Sequence, residues 1–260
     1  MLDEEYVRQN RSPPVERMMA VLYELERNPS GIGLKRLAQN TGVTRSSVYR
    51  ILNSLLAHEM VRRLDNSDYV LGRRLLALAD NVTTSPHIGR IAGAAHLHLE
   101  SISLSLGETS KVSVYDRGSV LVVAFAPGRK PHALHAQLGE HLPIHAGGAS
   151  KVLLAHLPDD EVDKLLSRPL TRFTELTLIE PEALRRELGH VREQGWSRDH
   201  GEFNTSIKSY GAPIRDQTGE VVSAISIPFL AGRDDEYEAL VKHTAIETAR
   251  NISEALGARF

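Results

Sequence analysis

One segment, from Leu34 to Val70, constrains the fold of this chain more than any other. It reads LKRLAQNTGVTRSSVYRILNSLLAHEMVRRLDNSDYV. Lys35 to Gln39 predicts a short helix, and Gly42 supplies the turn where a tight corner between two helices requires a backbone without Cβ. Thr44 is a good N-cap for the helix that follows. The apolar side of that helix is predicted to comprise Val48, Ile51, Leu52 and Leu55.

The other side of this second helix is polar and basic. Its candidate DNA-contacting residues are Thr44, Arg45, Ser46, Ser47, Tyr49, Arg50 and Asn53. The first turn is the part of a recognition helix that enters the major groove, and the later residues lie one turn further on. Each arginine taken singly is more typical of a solvated amphipathic helix than of a DNA contact. Their joint placement after a glycine turn favours a helix that reads DNA.

A small hairpin is predicted directly after this helix. Val61 to Leu64 and Tyr69 to Leu71 are strand-like, and Asp65-Asn66-Ser67 joins them. Arg62 and Arg63 on the first strand are available for backbone phosphates. Helix, turn, helix and hairpin together predict a winged helix-turn-helix, and therefore double-stranded operator DNA as a partner.

Charge is distributed unevenly along the chain. The 260 residues include 31 basic and 33 acidic side chains, a formal charge of -2. Between Lys35 and Arg74, however, eight basic residues stand against three acidic ones, so 8 − 3 leaves +5. Positive charge is thus concentrated where contact with phosphates requires it.

The pattern predicts three parts: a DNA-binding domain (1–72), a linker helix (73–86) and a second domain (87–260). A first helix ends near Arg27, and the linker helix begins at Arg73 and is broken by Ser85-Pro86. The linker has an apolar stripe that packs either on a partner chain or on its own N-terminal domain. The stripe comprises Leu75, Leu78, Ala79 and Val82.

The second domain has a mixed α/β pattern. A long amphipathic helix ends at Gly107, another follows Gly147, a third covers Pro181 to Gln194, and a last one carries Tyr237 to Leu256. Strands are predicted over Lys111–Tyr115, Ser119–Ala126, His132–Leu138, Ile207–Ile214 and Val221–Pro228. Hairpin-linked strands with helices at both ends indicate an antiparallel sheet covered by helices, so the fold class is α+β.

Composition excludes several classes of protein. The chain has no cysteine, which removes disulfides, thiolate catalysis and cysteine-based metal sites. The start, MLDEEYVRQN, lacks the basic and apolar regions of a signal peptide. The longest purely apolar run, Val120 to Ala126, is far shorter than the roughly 20 residues that a bilayer demands. We therefore expect a cytoplasmic protein that makes no contact with membranes.

Two long blocks of the chain resemble the IclR (isocitrate lyase regulator) family of bacterial transcription factors. The first comprises VERMMAVLYELERNPSGIGLKRLAQNTGVTRSSVYRILNSLLAHEMVRR and YVLGRRLLALAD. The second comprises LGEHLPIHAGGASKVLLAHLP and EPEALRRELGHVREQGWSRDHGEFNTSIKSYGAPIRDQTGEVVSAISI. The resemblance implies a C-terminal effector-binding domain of GAF-like fold. It also implies a homodimer or homotetramer, a dimer of dimers, on operator DNA.

The second block contains a candidate anion site. Gly147-Gly148-Ala149-Ser150 opens a helix, whose first N–H groups and dipole favour a carboxylate. On residues alone, a close-packed glycine turn explains the segment equally well. The resemblance implies an effector pocket that holds a small organic acid or a related metabolite. Its residues would be Gly148, Ala149, Asp199, Ser209 and Ser226.

Three positions depart from the family's pattern. Ser150 stands where the family often has glycine, Ser209 where it often has cysteine, and Pro228 where it often has a small polar residue. Serine retains hydrogen-bonding capacity, whereas proline loses it. The resemblance therefore implies that the pocket is retained while its ligand differs.

The alternative is a metabolic enzyme, or a small-molecule binding protein that uses the N-terminal unit only for assembly. Asp199, His200 and Glu202 could serve as acids or bases, but no nucleophile motif or glycine-rich phosphate loop accompanies them. His132 and His135 would face opposite sides of one strand, and no carboxylate near them has matching spacing. We therefore predict a ligand-responsive regulator, a repressor in most such families, with no enzymatic activity, metal or cofactor.

Overall fold

A computed structural model describes residues 11–75, 78 and 86–260 of the chain. The chain divides into two compact units, Met1–Ser85 and Pro86–Phe260. Most of the predicted linker, residues 76, 77 and 79–85, lies outside the described residues, and so do Ala79 and Val82 of its apolar stripe.

The first unit is a winged helix-turn-helix. Its helices are α1 (Pro13–Glu26), α2 (Leu34–Thr41) and α3 (Arg45–Ala57). Strands β1 (Val61–Arg63) and β2 (Tyr69–Leu71) form an antiparallel hairpin. The predicted order and types of these elements are confirmed.

The core of this unit joins all three helices. Val21 and Leu25 of α1 pack with Leu37 of α2 and with Val48 and Leu52 of α3, and all five are essentially inaccessible to solvent. A spacing of four residues places Val21 and Leu25 on one side of α1, and Val48 and Leu52 on one side of α3. The first turn of α1 does not reach this core, so its apolar residue Val15 is 47% exposed.

The second unit is built on a six-stranded antiparallel sheet. Its strands are β3 (Ser110–Asp116), β4 (Ser119–Ala126), β5 (His141–Pro143), β6 (Ser197–Asp199), β7 (Ile207–Arg215) and β8 (Val221–Leu230). They lie in the order β5-β4-β3-β8-β7-β6. Its helices are α4 (Pro86–Ser105), α5 (Gly148–Ala155), α6 (Asp159–Leu166), α7 (Pro181–Gln194) and α8 (Asp235–Ala255).

Helices cover both faces of the sheet. On one face, α4 and α8 pack on residues such as Ile225, Ile227 and Phe229 of the central strand β8. On the other face, α5 and α7 join a second core that includes Ala224 of the same strand. Successive residues of a strand point to opposite faces, which explains the alternation. The predicted α+β architecture is confirmed.

The predicted strand over His132–Leu138 is wrong. These residues form turns and irregular backbone, and the edge position beside β4 belongs to the next segment, 139–143. Gly139 donates its N–H to the Val122 carbonyl, and Val122 donates to the Glu140 carbonyl. A side chain holds the irregular segment instead. The Thr109 hydroxyl donates to the Leu134 carbonyl at 2.5 Å. Helix α6 and strand β6 were not predicted.

No helix within the described ranges combines the length and the hydropathy needed to cross a bilayer.

Candidate functional site

The corner between α2 and α3 depends on a left-handed residue. Gly42 ends α2 with φ 68°, a conformation that costs glycine little. Thr44 is the N-cap of α3 by position, but no backbone N–H of the helix donates to its side chain. Its hydroxyl donates instead to the Ser47 Oγ at 2.9 Å. The predicted N-cap position is therefore confirmed, although the Thr44 hydroxyl bonds the Ser47 side chain and not the helix backbone.

The exposed side of α3 carries most of the predicted contact residues. Those open to solvent are Thr44, Arg45, Ser46, Tyr49, Arg50 and Asn53. Ser47 is half-buried, and its hydroxyl accepts a hydrogen bond from the exposed Thr44. Within the described residues, neither Arg45 nor Arg50 has a carboxylate partner. Both guanidinium groups can therefore meet phosphates or base edges without breaking an ion pair.

The wing presents one arginine on each face of the hairpin. Arg62 and Arg63 are consecutive strand residues, so their side chains point in opposite directions. Arg63 is paired with Tyr69, and its guanidinium lies 5.9 Å from the centre of that ring. Both arginines are exposed. The hairpin can therefore place Arg62 against a phosphate, while Arg63 also packs on the wing itself.

In the second unit, the start of α5 lies directly on strand β7. A Cβ on Gly211 would come 2.4 Å from the Gly148 carbonyl carbon, so the two backbones touch. The Gly148 N–H donates to the Ser209 Oγ at 3.1 Å, and the Ser197 hydroxyl donates to the Gly148 carbonyl. The predicted glycine turn is thus a close-packed contact, and it also aims the first turn of α5 at the sheet.

Two amides at the start of α5 remain available to a ligand. The first residues of a helix have N–H groups without partners inside the helix. Gly148 uses the Ser209 hydroxyl, but the described residues offer no acceptor to the N–H groups of Ala149 and Ser150. Both residues are buried. Buried donors at a helix N-terminus favour an anion.

The predicted polar side chains lie on neighbouring strands below α5. Asp199 is paired with Ser209, and Ser226 is paired with Gly211, so all lie within three adjacent strands of the sheet. Ser226 is 2% exposed, and its Oγ has no hydrogen-bond partner among the described residues. A buried hydroxyl without a partner costs free energy that a ligand could recover.

Asp199 has a different role from the serines. Its Oδ1 accepts the N–H groups of Gly201 at 3.0 Å and Glu202 at 2.7 Å. Burial raises the pKa of Asp199, and these backbone donors together with Lys151 oppose the rise. The carboxylate therefore closes the loop after β6 in addition to bordering the candidate site.

Pro228 lies in β8 beyond the point where pairing with β3 ends. Pairing between β3 and β8 covers Ser226 to Ala224 and does not reach Pro228. Proline has no N–H to donate, and such residues occur in strands where a ladder has ended. Pro228 is paired with Ser209 on the other side, next to the candidate site.

A buried ion cluster lies beside this site and was not predicted from the sequence. The Lys151 ammonium donates to Glu187 at 2.7 Å and to Glu202 at 2.6 Å, and the Lys151 side chain is 2% exposed. Burial raises the pKa of Glu202 to about 7, opposed by Lys151. The only local signal for this cluster was a lysine at the start of an apolar helix. Lys111, Ser197 and Gly211 were not predicted either, because their positions depend on strand pairing.

No group of three histidine, aspartate or glutamate side chains is arranged for metal binding in the part of the chain that the structure describes. Two histidines that follow His132 and His135 in the chain have other contacts, since His145 contacts the Thr171 carbonyl at 2.9 Å and His141 contacts the Ser119 hydroxyl at 2.9 Å. These two rings thus have ordinary hydrogen-bond partners.

Comparison with known proteins assigns both units to one family. A family model described as IclR helix-turn-helix domain matches residues 14–65, and one described as bacterial transcriptional regulator IclR C-terminal matches residues 85–254. The HTH-type transcriptional repressor AllR of Klebsiella pneumoniae is 29% identical over 265 residues, covering 96% of this chain and 92% of that protein.

Two solved structures are similar along nearly the whole chain. The Thermotoga maritima IclR has a TM-score of 0.75 and 26% identity, with 94% of this chain and 98% of that one covered. An IclR homologue from Microbacterium hydrocarbonoxydans, solved with 4-hydroxybenzoate, has the same fold. Its TM-score is 0.68 at 23% identity, with 92% and 98% of the two chains covered. The matched relatives are transcriptional regulators, not enzymes.

Proposed function

The chain belongs to the IclR family of bacterial transcriptional regulators, and we propose that it represses transcription by placing α3 in the major groove of operator DNA. The observation that carries this proposal is the exposed polar side of α3, with Arg45 and Arg50 unpaired among the described residues. Arg45 and Ser46 in the first turn read base edges, and Arg62 on the wing binds a phosphate. This division of roles rests on position along the helix and hairpin.

A small organic acid is the proposed effector of the second unit. The Ala149 amide and the Ser226 hydroxyl, both buried and unpaired within the described residues, support this assignment. Gly148 and Ser209 position the first turn of α5. Asp199 closes the adjacent loop. Binding of the effector then shifts the population of DNA-competent regulator, because it stabilises one arrangement over another.

We also propose a homodimer or a dimer of dimers in the cytoplasm, with residues 73–86 as the linker helix between domains 1–72 and 87–260. Two copies of α3 would then read two half-sites one helical turn apart. This assembly follows from family membership and is tested by the oligomeric state in solution.

A mobility-shift titration with DNA from upstream of the gene tests the DNA-binding proposal. We expect binding that weakens steeply as salt is raised, because cationic side chains release counterions from DNA. The alternative, an assembly role for the first unit, predicts no binding to any promoter fragment even at low salt. That result would overturn the repressor proposal.

Arg45→Ala and Arg62→Ala should weaken DNA binding in different ways. For Arg45→Ala we expect a loss of about 1–3 kcal/mol on the operator and a much smaller loss on random DNA, because a base contact is removed. For Arg62→Ala we expect similar losses on both DNAs and a salt slope smaller by about one. Titrations at several salt concentrations measure both. Equal effects of Arg45→Ala on the two DNAs would show that Arg45 contacts only the backbone.

Ser226→Ala should reduce stabilisation of the protein by its effector. The variant removes a buried hydroxyl that has no partner among the described residues, so the ligand loses a hydrogen bond while the unliganded protein loses none. A thermal-shift series with small carboxylates, 4-hydroxybenzoate among them, measures the change. Ser253→Ala is the control, because the Ser253 hydroxyl bonds Arg215 and Ala249 away from the site. An unchanged ligand shift in Ser226→Ala would remove Ser226 from the site.

A further inference from the structure

Strand pairing places Lys111 of β3 beside the candidate effector site. Lys111 is paired with Ser226 on β8 and with Phe125 on β4, and Ser226 is paired in turn with Gly211 on β7. Residues directly opposite each other in antiparallel strands share a face, with Cβ atoms about 4.5–5.5 Å apart. Lys111 is therefore on the face that α5 covers, one strand away from Ser226.

The Lys111 ammonium has no bonded partner in the described part of the chain. Glu140 and Asp199 attract it, but neither forms an ion pair with it. Asp199 already accepts two backbone N–H groups. Burial is the dominant effect and lowers the pKa of Lys111. An ammonium withdrawn from water without a bonded counter-charge is costly to keep.

Lysines in comparable surroundings in this unit are paired. Lys151 bonds Glu187 and Glu202, and Lys208 bonds Glu238 at 2.8 Å. Lys111 therefore differs from these two lysines, because its ammonium has no bonded carboxylate among the described residues.

Two hydroxyls share the environment of Lys111. Ser226 lies opposite it, and Ser113 lies two residues further along β3, paired with Ala224 of the core beneath α5. The Oγ atoms of both serines are buried without a hydrogen-bond partner among the described residues. One ammonium and two hydroxyl donors without acceptors thus face the same side of the sheet. A group with several acceptor oxygens and negative charge satisfies all of them.

We propose that Lys111 is the charge-recognising residue of the effector site and that its ammonium pairs with a carboxylate of the effector. This inference rests on the proposed effector site and names a residue that determines its specificity. Ser226 donates to the same carboxylate. The Ala149 amide lies against Gly211 of β7, which is paired with Ser226 of β8. The site therefore selects a carboxylate over an uncharged analogue of the same shape.

Lys111→Met tests the proposal first without any ligand. Because it replaces an ammonium without a bonded partner by an apolar chain of similar length, we expect the melting temperature of the unliganded protein to rise by about 2 °C or more. Lys208→Met is the matched control, and we expect its melting temperature to fall, because Glu238 loses a bonded partner. If the melting temperature falls in Lys111→Met as much as in Lys208→Met, Lys111 forms a structural ion pair, and the proposal is overturned.

A ligand panel provides the second test. Wild-type protein is melted with 4-hydroxybenzoate, pyruvate and succinate, and with their amides. We expect at least one carboxylate and none of the amides to raise the wild-type melting temperature, and Lys111→Met to lose that rise. Equal shifts by a carboxylate and its amide, a retained shift in Lys111→Met, or no shift by any carboxylate would overturn the assignment. The mobility-shift titration of wild-type protein with DNA tests the repressor proposal independently of these outcomes.

Discussion

Lys151→Met is expected to lower the free energy of unfolding of the second unit by about 3–5 kcal/mol. The Lys151 ammonium is buried between Glu187 and Glu202, so its loss leaves Glu202, which is 5% exposed, without a counter-charge. Breaking one half of a buried pair costs far more than removing a surface pair, because the remaining charge stays desolvated. Urea unfolding of the wild type and the variant measures the difference.

The loss in Lys151→Met should grow with pH. The pKa of Glu202 is about 7 in the folded protein, against an ordinary value of 4.5, so the folded state binds more protons in this interval. The contribution of Glu202 to the free energy of unfolding therefore falls as pH rises from about 4.5 to about 7. Without Lys151 the pKa of Glu202 rises further, since one of the groups opposing burial is gone. We expect a larger loss at pH 8 than at pH 5.5.

Lys164→Met is the control for this prediction. Lys164 contacts Asp160 at 3.0 Å and Glu161 at 3.4 Å, but its side chain is 65% exposed. Exposed pairs contribute about 0–1 kcal/mol, so the change should be small at both pH values. A loss in Lys151→Met that is the same at pH 5.5 and pH 8 would show that the Glu202 charge does not cause it.

Gly211→Ala is expected to destabilise the second unit by about 3 kcal/mol and to remove its response to effector. The added Cβ would lie 2.4 Å from the Gly148 carbonyl carbon and 2.8 Å from the Ala149 nitrogen. Both are backbone atoms, so no side chain can rotate away and α5 must shift off the sheet. Thermal melting with and without the carboxylate panel measures both effects.

Gly189→Ala is the matched control. Gly189 lies inside α7, and a Cβ there meets nothing within 4 Å. Alanine favours a helix interior by about 0.5–1 kcal/mol over glycine, so this variant should gain stability. The same chemical change should thus have opposite signs at the two positions. A Gly211→Ala protein that melts and responds like the wild type would show that the contact between α5 and β7 is looser than the structure indicates.

Local patterns were sufficient for much of the fold. The helices of the first unit and the wing follow from apolar periodicity and from Gly42, which act within a few residues of the chain. Helix α7 was predicted with its observed bounds, Pro181–Gln194, because a proline begins it and a glycine follows it. The segment His132–Leu138 was assigned wrongly, since apolar alternation cannot reveal which segment occupies the edge beside β4.

Local sequence patterns were enough to predict a winged helix-turn-helix followed by an α+β unit, and the resemblance named the family, because periodicity, turn residues and motif order are properties of neighbouring residues. Which side chains meet depends instead on the tertiary structure. Lys111, Gly148, Gly211 and Ser226 are far apart along the chain, and antiparallel register together with the packing of α5 brings them to one face of the sheet. Whether a lysine is paired, as Lys151 is, or left for a ligand, as we propose for Lys111, depends on that register.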